Sequence, residues 1–358
     1  MNRGAPSVNR GSPSVNSPSV NRGSPSVNRG APSENRGLGW SLPHLSSRIL
    51  PSTCDHCCIR SSPVSTIKNV KYSIRSMQVE DIPKLHALLA ENKWNMELDY
   101  LNCIFSTDPT GLLIVEDEQG NVIGHNGILK HGSHLASFGM NIVKDGYREL
   151  GIGKKLLQAT MELMGDRNVG MNSLSNRVTF YEQFGWKVSS FTLSYNQGKV
   201  NLDFIKHPLA VGFELMSSDN VSFEELFSYD TEIHTVPRKR FLDFWINHKK
   251  AQSFVAVRSG KIVGYCVLRP ADVGWKMYPL YADDKNVAHA LFCKAVSLIP
   301  KGEDLIFTLP VENEEANKLA KGAGLVQYLS MPRLYNKWNV VMDLTRVYSV
   351  ASTEYAIV

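Results

Sequence analysis

The spacing of apolar residues predicts the first folded elements of the chain. Residues 71–77 alternate apolar and polar side chains, which is the period of a half-buried strand. Residues 79–94 carry apolar side chains at helical spacing and acidic residues in the first turn, so a helix is predicted there. Two apolar runs within 111–130 flank a Gln-Gly-Asn turn and predict a hairpin, and 135–143 predicts a further strand.

A loop that contains two glycines, YRELGIGKK at 147–155, follows that strand. Beyond the loop, apolar side chains recur on one face of a helix that is predicted to stop at Gly165. The residues of that face are Leu156, Leu157, Thr160, Met161 and Met164.

The second half of the chain repeats this order of elements. Residues 253–270 match the earlier hairpin, and 276–298 match the strand, loop and helix around the glycines. Such internal repetition predicts two copies of one α/β unit. We therefore expect two domains of α/β class, 70–208 and 212–358.

Residues 1–66 form an arm whose first half, residues 2–34, repeats a seven-residue unit of the type NRGSPSV. Proline recurs in every unit and a unit offers at most a single valine, so this arm is predicted to be disordered. Its Arg- and Ser-rich composition is similar to that of a transit peptide. The prolines, however, disfavour the amphipathic helix of such peptides, and we expect a cytoplasmic protein.

Charge is distributed unevenly along the chain. The formal net charge is +5, and residues 1–67 hold seven Arg, no Lys and two acidic residues, so the remainder is neutral. A neutral body gives no electrostatic reason to expect nucleic acid as a partner. No apolar run approaches the roughly 18 residues of a membrane span, so no membrane partner is expected either. The oligomeric state cannot be predicted from these patterns.

The six cysteines are sparse, which is typical of reduced thiols in an intracellular protein. The segment CDHCC at 54–58 offers three thiols and an imidazole. A structural zinc site needs a second ligand pair at finger spacing, and none follows, so no metal is expected.

The glycine loop departs from two common phosphate-binding motifs. It fails the Walker A pattern because Arg148 stands at the first glycine position and Lys155 at the Ser/Thr position. It fails the dinucleotide fingerprint because Leu156 replaces the third glycine. An R-x-x-G-x-G sequence between a strand and a helix still predicts a phosphate site, because free N–H groups and the helix dipole face the ligand. The alternative is a solvated turn that only begins a helix.

The loop and its surroundings resemble the GCN5-related N-acetyltransferase (GNAT) superfamily. The motif V-x(3)-Y/W-R/Q-x-x-G-x-G of that family is matched by Val143, Tyr147, Arg148, Gly151 and Gly153. The following NRVTFYEQFGW is similar to the family's N…A…Y-E-K-x-G-F segment. The upstream KWNMELDYLNCIFSTDPTGLLIV resembles a tandem subfamily with a second, degenerate domain, although a lysine precedes its Trp-Asn pair where glycine is common. The resemblance implies tandem acyl-CoA N-acyltransferase domains, each a mixed central sheet flanked by helices.

The resemblance implies acetyl-CoA as the co-substrate of the first domain. Backbone groups of Ile142 and Val143 would pair with its pantetheine arm like an added strand. Asn176 would also reach that arm. The residues implied to surround the pyrophosphate are Arg148, Gly151, Ile152, Gly153 and Lys154.

Tyr181 is the candidate general acid for the departing thiolate; alternatively, it is a half-buried aromatic that packs its helix. The strand at 135–143 carries no acidic residue that could act as the general base. The candidates for this role are His131, His134 and a water relay. Candidate acceptor residues are Trp94, Asn95 and Asp99, through an ion pair or a cation–π contact. The alternative places Trp94 in the core and Asp99 at a helix cap.

The second domain has Pro279, Asp283 and Asp284 at the place of the glycine loop, and we expect it not to bind acetyl-CoA. The predicted function is therefore transfer of acetyl from acetyl-CoA to a primary amine, expected to belong to a small molecule. The alternatives are a catalytically inactive acyl-CoA sensor and an interaction protein that acts through its repeat arm.

Overall fold

The computed structural model describes residues 70–205 and 212–357. The predicted arm and the CDHCC segment lie outside these residues. Among the described residues, no helix is both long enough and apolar enough to cross a bilayer.

The first half follows the predicted order, with some differences. The helix predicted at 79–94 is shorter: a 3-10 turn leads into it, it ends at Glu91, and Lys93 has a φ of 60°. A second helix, which periodicity did not reveal, follows at once. The elements are β1 (Tyr72–Ser76), α1 (Ile82–Glu91), α2 (Leu98–Thr107), β2 (Leu112–Asp117), β3 (Val122–His131), β4 (Leu135–Val143), α3 (Ile152–Met164), β5 (Asn168–Asn172), α4 (Val178–Glu182), β6 (Val188–Gly198) and α5 (Leu202–Ile205).

The second half has a closely related order of elements. They are β7 (Glu214–Ser217), α6 (Phe223–His234), α7 (Lys239–Asn247), β8 (Gln252–Arg258), β9 (Lys261–Pro270), β10 (Trp275–Ala282), α8 (Lys285–Val296), β11 (Leu305–Pro310), α9 (Glu314–Gly322), β12 (Val326–Tyr335) and β13 (Val347–Ser349). Strands β7 to β11 correspond in order to β1 to β5, and α8 corresponds to α3.

Both halves contribute to one mixed sheet. The order is β1-β2-β3-β4-β5-β12-β6-β11-β10-β9-β8-β7, with β13 beside β10. Strand β12 of the second half therefore lies between β5 and β6, and β6 of the first half lies between β12 and β11. Each half completes the sheet of the other, so the two share a continuous backbone hydrogen-bond network.

The sheet opens at two places. Strands β4 and β5 are parallel and pair only from Leu135 to Ser137, and the pairing does not continue along β4. Strands β10 and β11 pair in parallel over two residues, starting at Trp275. The second opening is lined by β13, which pairs with β10 at Leu280 and Tyr281.

Helices cover both faces of the first half. The apolar side of α3, with Leu156 and Leu157 fully buried, packs on the sheet, and its residues belong to the clusters around β2 and β4. Leu88 and Leu89 of α1 belong to the larger core cluster, which also includes residues of α2 and α7. Burial of each such leucine contributes about 1.5 to 3 kcal/mol to folding.

Candidate active site

The loop between β4 and α3 presents backbone N–H groups at a helix start. Gly151 is the N-cap residue, with a φ of 77°, and the backbone N of Lys155 donates to its carbonyl at 3.1 Å. The N–H groups of Ile152, Gly153 and Lys154 precede this first helical bond and point out of the helix end. Apart from the adjoining backbone, no atom lies within 4 Å of a Cβ built on Gly151, and a Val143 methyl lies 3.5 Å from one on Gly153. An anion can therefore approach the backbone closely.

Arg148 organises this loop. Its Nε donates to the carbonyl of Val143 at 2.9 Å, one Nη donates to the side chain of Asn92 at 2.7 Å, and the other pairs with Asp145 at 2.7 Å. The guanidinium thus connects the loop with the end of β4 and the end of α1. Lys154 is exposed at the helix start. A direct contact between either side chain and a phosphate stays a prediction.

Ile142 and Val143 are predicted to pair with the pantetheine arm, but their backbone groups face opposite edges of β4. Ile142 is opposite His125 and Val143 is opposite Gly124 in the pairing with β3. The backbone N of Lys144 donates to Ile123 at 2.8 Å. Because backbone groups alternate in direction along an antiparallel pair, those of Ile142 face β3 and those of Val143 face the opening. Val143 is therefore the residue of this pair that can add a ligand as a strand.

A bulge in β4 lies beside Tyr181. The register between β3 and β4 shifts past Gly139, and Met140 has a φ of 56°. The side-chain amide of Asn141 donates to the Tyr181 hydroxyl at 3.3 Å. The ring of Tyr181 packs edge-on against Phe138. Tyr181 thus packs with its ring and directs its hydroxyl at β4, and its role as general acid stays a prediction. Asn141 was missed because a mid-strand Asn carries no sequence motif.

Asn176 lies on the opposite side of the opening. It is exposed within the 3-10 turn Ser175–Arg177, between β5 and α4. Its contact with the pantetheine arm stays a prediction.

The C-terminal segment, defined as residues 352–357, lies across the opening between β4 and β5. The Asn172 side chain on β5 donates to the carbonyl of Thr353 at 2.6 Å. The Tyr355 hydroxyl donates to the carbonyl of Gly139 at 3.2 Å, and the Ser137 hydroxyl donates to that of Ala356 at 3.1 Å. No sequence pattern linked this segment to β4, which lies about two hundred residues upstream.

Two of the candidate acceptor residues contact the second half. The Asn95 side chain exchanges two hydrogen bonds with the backbone of Val273, at 2.8 and 3.0 Å. Asp99 lies in the first turn of α2, where Glu97 is the N-cap residue, and it lies 3.3 Å from the His248 ring. Trp94 is half-buried against the large core. Asn95 and Asp99 thereby connect the two halves, and their acceptor role stays a prediction.

The candidate histidine bases differ in environment. His131 is buried and its Nε2 lies 3.0 Å from the Ser137 hydroxyl oxygen. Burial lowers the pKa of His131 to about 3, with the nearby charge of Arg238 acting in the same direction. His134 is exposed on the turn between β3 and β4, at the end away from the bulge. Neither arrangement favours a base beside Tyr181. Within 70–205 and 212–357, no group of three or more His, Cys, Asp and Glu side chains is arranged to hold a metal ion.

The corresponding helix start in the second half is already occupied by a carboxylate. The Asp284 side chain caps α8 by accepting from the backbone N of Asn286 and Val287, at 2.9 and 3.0 Å. Arg258 pairs with the same carboxylate at 2.8 Å. Asp283 accepts from the Tyr229 hydroxyl at 2.9 Å. Arg346 pairs with Asp283 at 2.7 Å. The first N–H groups of α8 thus already have a partner in their own chain, and the expectation that this half binds no pyrophosphate stays a prediction.

Two models of an acetyltransferase (GNAT) domain match the chain, one at residues 94–198 and the other at 226–349. The chain belongs to the GNAT superfamily of acyltransferases. It is a tandem GNAT protein, because the two matches fall in its two halves, and the predicted resemblance is confirmed. Among curated proteins, this GNAT chain is similar to holothin acyltransferase from Pseudoalteromonas sp. (strain SANK 73390). The two are 22% identical over 265 residues, which cover 73% of this chain and 87% of the relative.

Solved structures share the predicted α/β fold, which is confirmed. A putative acetyltransferase from Pyrococcus horikoshii has a TM-score of 0.65 at 16% identity, covering 80% of this chain and 98% of its own. A tandem GNAT protein from the clavulanic acid biosynthesis pathway has a TM-score of 0.56 at 14% identity, covering 75% and 98%. Saccharomyces cerevisiae N-myristoyltransferase with bound myristoyl-CoA has a TM-score of 0.53 at 10% identity, covering 85% and 93%.

Proposed function

We propose that this protein transfers acetyl from acetyl-CoA to the primary amine of a small molecule, in a ternary complex. The observation that carries the proposal is the helix start at Gly151, which places outward N–H groups at the end of β4, beside the opening of the sheet. In a GNAT domain this combination suits the pyrophosphate of a CoA thioester. We assign acetyl-CoA binding and acetyl transfer to the domain at 70–208. The domain at 212–358 then closes over the acceptor.

The residues of the first domain then have distinct tasks. The N–H groups of Ile152, Gly153 and Lys154 hold the pyrophosphate, with Arg148 fixing the loop. Val143 presents backbone groups to the pantetheine arm. N–H groups at the bulge of β4 would stabilise negative charge on the thioester oxygen, an effect worth about 3 kcal/mol per donor.

Tyr181 would protonate the leaving sulfur. Its hydroxyl is held toward β4 by Asn141, next to the bulge where the thioester would lie. An acid at this place avoids release of a free thiolate, and positioned acids of this kind typically contribute about 10²- to 10⁴-fold to a rate.

A small acceptor is favoured by the strand exchange and by the relatives. The exchanged strands β6 and β12 join both halves in one sheet, and boundaries between domains are frequent sites for small ligands. One relative is named for acylation of holothin, and another belongs to clavulanic acid biosynthesis. We place the reaction in the cytoplasm, with neither nucleic acid nor membrane as a partner.

One observation favours the alternative of an inactive acyl-CoA-binding protein. Strand β4 carries no acidic residue, and the nearby His131 is buried and hydrogen-bonded. Acyl-CoA binding without turnover would fit that arrangement, so turnover is the deciding property.

The test is release of the CoA thiol by the full chain with acetyl-CoA and a panel of small primary amines. The proposal predicts amine-dependent thiol release that Gly153→Asp abolishes and that deletion of residues 1–66 leaves unchanged. Tight acetyl-CoA binding without turnover on any amine would instead establish the inactive-sensor alternative. A cellular function that needs residues 1–66 while turnover does not would establish the interaction-protein alternative.

A further inference from the structure

Glu354 of the C-terminal segment lies directly against β4 at the candidate reaction site. A Cβ built on Gly139 would be 2.7 Å from the Glu354 carbonyl oxygen and 3.1 Å from its Cβ. Only glycine therefore lets the segment approach so closely at this position. Gly139 immediately precedes the bulge at Met140, and Asn141 beyond it contacts Tyr181. Glu354 therefore lies against Gly139 and Tyr181 contacts Asn141, so the two side chains belong to residues on either side of the bulge.

The Glu354 carboxyl group lies in a mixed environment that both halves provide. It accepts a hydrogen bond from the Thr353 hydroxyl, and the Ser352 hydroxyl lies 3.5 Å away. Ser352 is itself held by the Tyr100 hydroxyl of α2 at 2.5 Å. Glu354 as a residue is half-buried, and its carboxyl group is enclosed by these hydroxyl groups.

Several ionisable groups surround this carboxyl group. Burial raises the pKa of Glu354, whereas the Thr353 hydroxyl and the charge of Lys276 act against that rise and the charge of Glu97 adds to it. The ionisable side chains around it are Glu97, Tyr100, Tyr195, Lys276, Tyr278 and Tyr355. A carboxyl group whose pKa is closer to neutrality is a better match for proton transfer at physiological pH.

The other carboxylates and histidines near the cleft are engaged elsewhere. Glu97 pairs with Lys276 at 2.9 Å, and Asp99 lies beside His248. His125 is buried, its Nε2 lies 3.4 Å from the Tyr355 hydroxyl oxygen, and burial lowers the pKa of His125 to about 4. Glu354 differs from these groups because its own backbone lies against Gly139, next to the bulge of β4.

We propose that Glu354 is the general base that deprotonates the acceptor ammonium, an inference that rests on the proposed function. A proton passes from the ammonium nitrogen to the Glu354 carboxylate, since an alkyl ammonium with a pKa near 10 is not nucleophilic. The nitrogen then forms a bond to the acyl carbon and the C–S bond breaks. Tyr181 gives its proton to the sulfur and regains one from the nitrogen through solvent. Glu354 releases its proton to solvent, so one proton leaves per amide formed.

The test compares Glu354→Gln, Glu354→Asp and the exposed control Glu303→Gln in the full chain. Acetyl-CoA affinity is measured by calorimetry, and kcat/KM for the best amine is measured from pH 5 to 10. We expect all three variants to bind acetyl-CoA within about twofold of the wild type. Glu354→Gln should lower kcat/KM at pH 7 by about 10²-fold. In Glu354→Gln, the decrease of kcat/KM that the wild type shows at acidic pH should disappear. The kcat/KM of this variant should rise again as the pH approaches the pKa of the amine. Glu354→Asp should keep the acidic limb and part of the activity.

Two outcomes overturn the inference in distinguishable ways. If the wild type turns over and Glu354→Gln keeps kcat/KM within about threefold with the same acidic limb, Glu354 is not the base and the proposed function stands. If the wild type binds acetyl-CoA but acetylates no amine, the proposed function fails and this inference fails with it.

Discussion

The side-chain amide of Asn141 on β4 donates a hydrogen bond to the hydroxyl of Tyr181 on α4, across 3.3 Å. This contact joins the two sides of the opening in the sheet, since β4 forms one edge and α4 follows β5 on the other. It holds the hydroxyl beside the β4 bulge, a position that ring packing alone does not require.

Replacement of Tyr181 by Phe tests its proposed role as general acid. The ring contact with Phe138 is kept while the hydroxyl is lost, so folding and acetyl-CoA affinity should be preserved. We expect kcat to fall by about 10²-fold, because the leaving sulfur loses its proton donor. Initial rates of thiol release check this, with Tyr348→Phe in β13 as the control for loss of a tyrosine hydroxyl. An unchanged kcat would show that Tyr181 only packs the helix.

The N-cap of α8 gives a prediction for the second half. Asp284→Ala removes a side chain that accepts from two backbone N–H groups, which should cost about 1 kcal/mol of unfolding free energy. The variant should still gain no second acetyl-CoA site, because β13 continues to line the opening beside β10. Denaturant unfolding and calorimetric stoichiometry are the measurements. Two sites per chain in the variant would mean that Asp284 alone blocks the second half.

The exchanged strands predict that neither half folds alone. Strand β12 pairs with β5 and β6 of the first half, so a fragment of residues 70–205 lacks the strand between them. A fragment of residues 212–358 likewise lacks β6 between β11 and β12. Each fragment expressed alone should aggregate or show no cooperative thermal transition, whereas co-expressed fragments should purify together as a folded pair. Cooperative melting of either fragment by itself would contradict the role of the exchange.

His131 predicts the direction of acid destabilisation. Its pKa is about 3 in the folded chain, below the ordinary value near 6.5, because it is buried. Between these values the unfolded chain binds a proton that the folded chain does not. Stability should therefore fall as pH drops from 6.5, by about 1.4 kcal/mol per pH unit from this group.

The matched variant is His131→Gln, which keeps a hydrogen-bonding group beside Ser137. Its unfolding free energy should depend less steeply on pH between 6 and 4 than that of the wild type. If unfolding free energy depends on pH with the same slope in the variant and the wild type, His131 has the same pKa in the folded and the unfolded chain.

Local patterns predicted the elements that obey a single period. The hairpin of β2 and β3, strand β4 and helix α3 lie where alternation, turn residues and helical spacing placed them. Helices α6 and α7 were not predicted, and α2 was not recognised as a helix.

The arrangement of strands and of the site depends on contacts between distant residues, which periodicity does not encode. Residues 326–335 pair with 168–172, and Glu354 lies against Gly139. Asn95 and Asp99 were chosen for their chemistry as acceptor contacts. Their partners Val273 and His248 belong to the other half and became visible only in the fold.

The central claim is that the helix start at Gly151 holds the pyrophosphate of acetyl-CoA, and calorimetric titration of the full chain tests it most directly. Gly153→Asp places a carboxylate at the second position of α3, where it should repel the ligand without destabilising the helix. Asn286→Asp places the same charge at the matching position of α8 and is the control. We predict one micromolar site per chain in the wild type and in the control, and none in Gly153→Asp. No binding by the folded wild type, or equal binding by Gly153→Asp, would contradict the account.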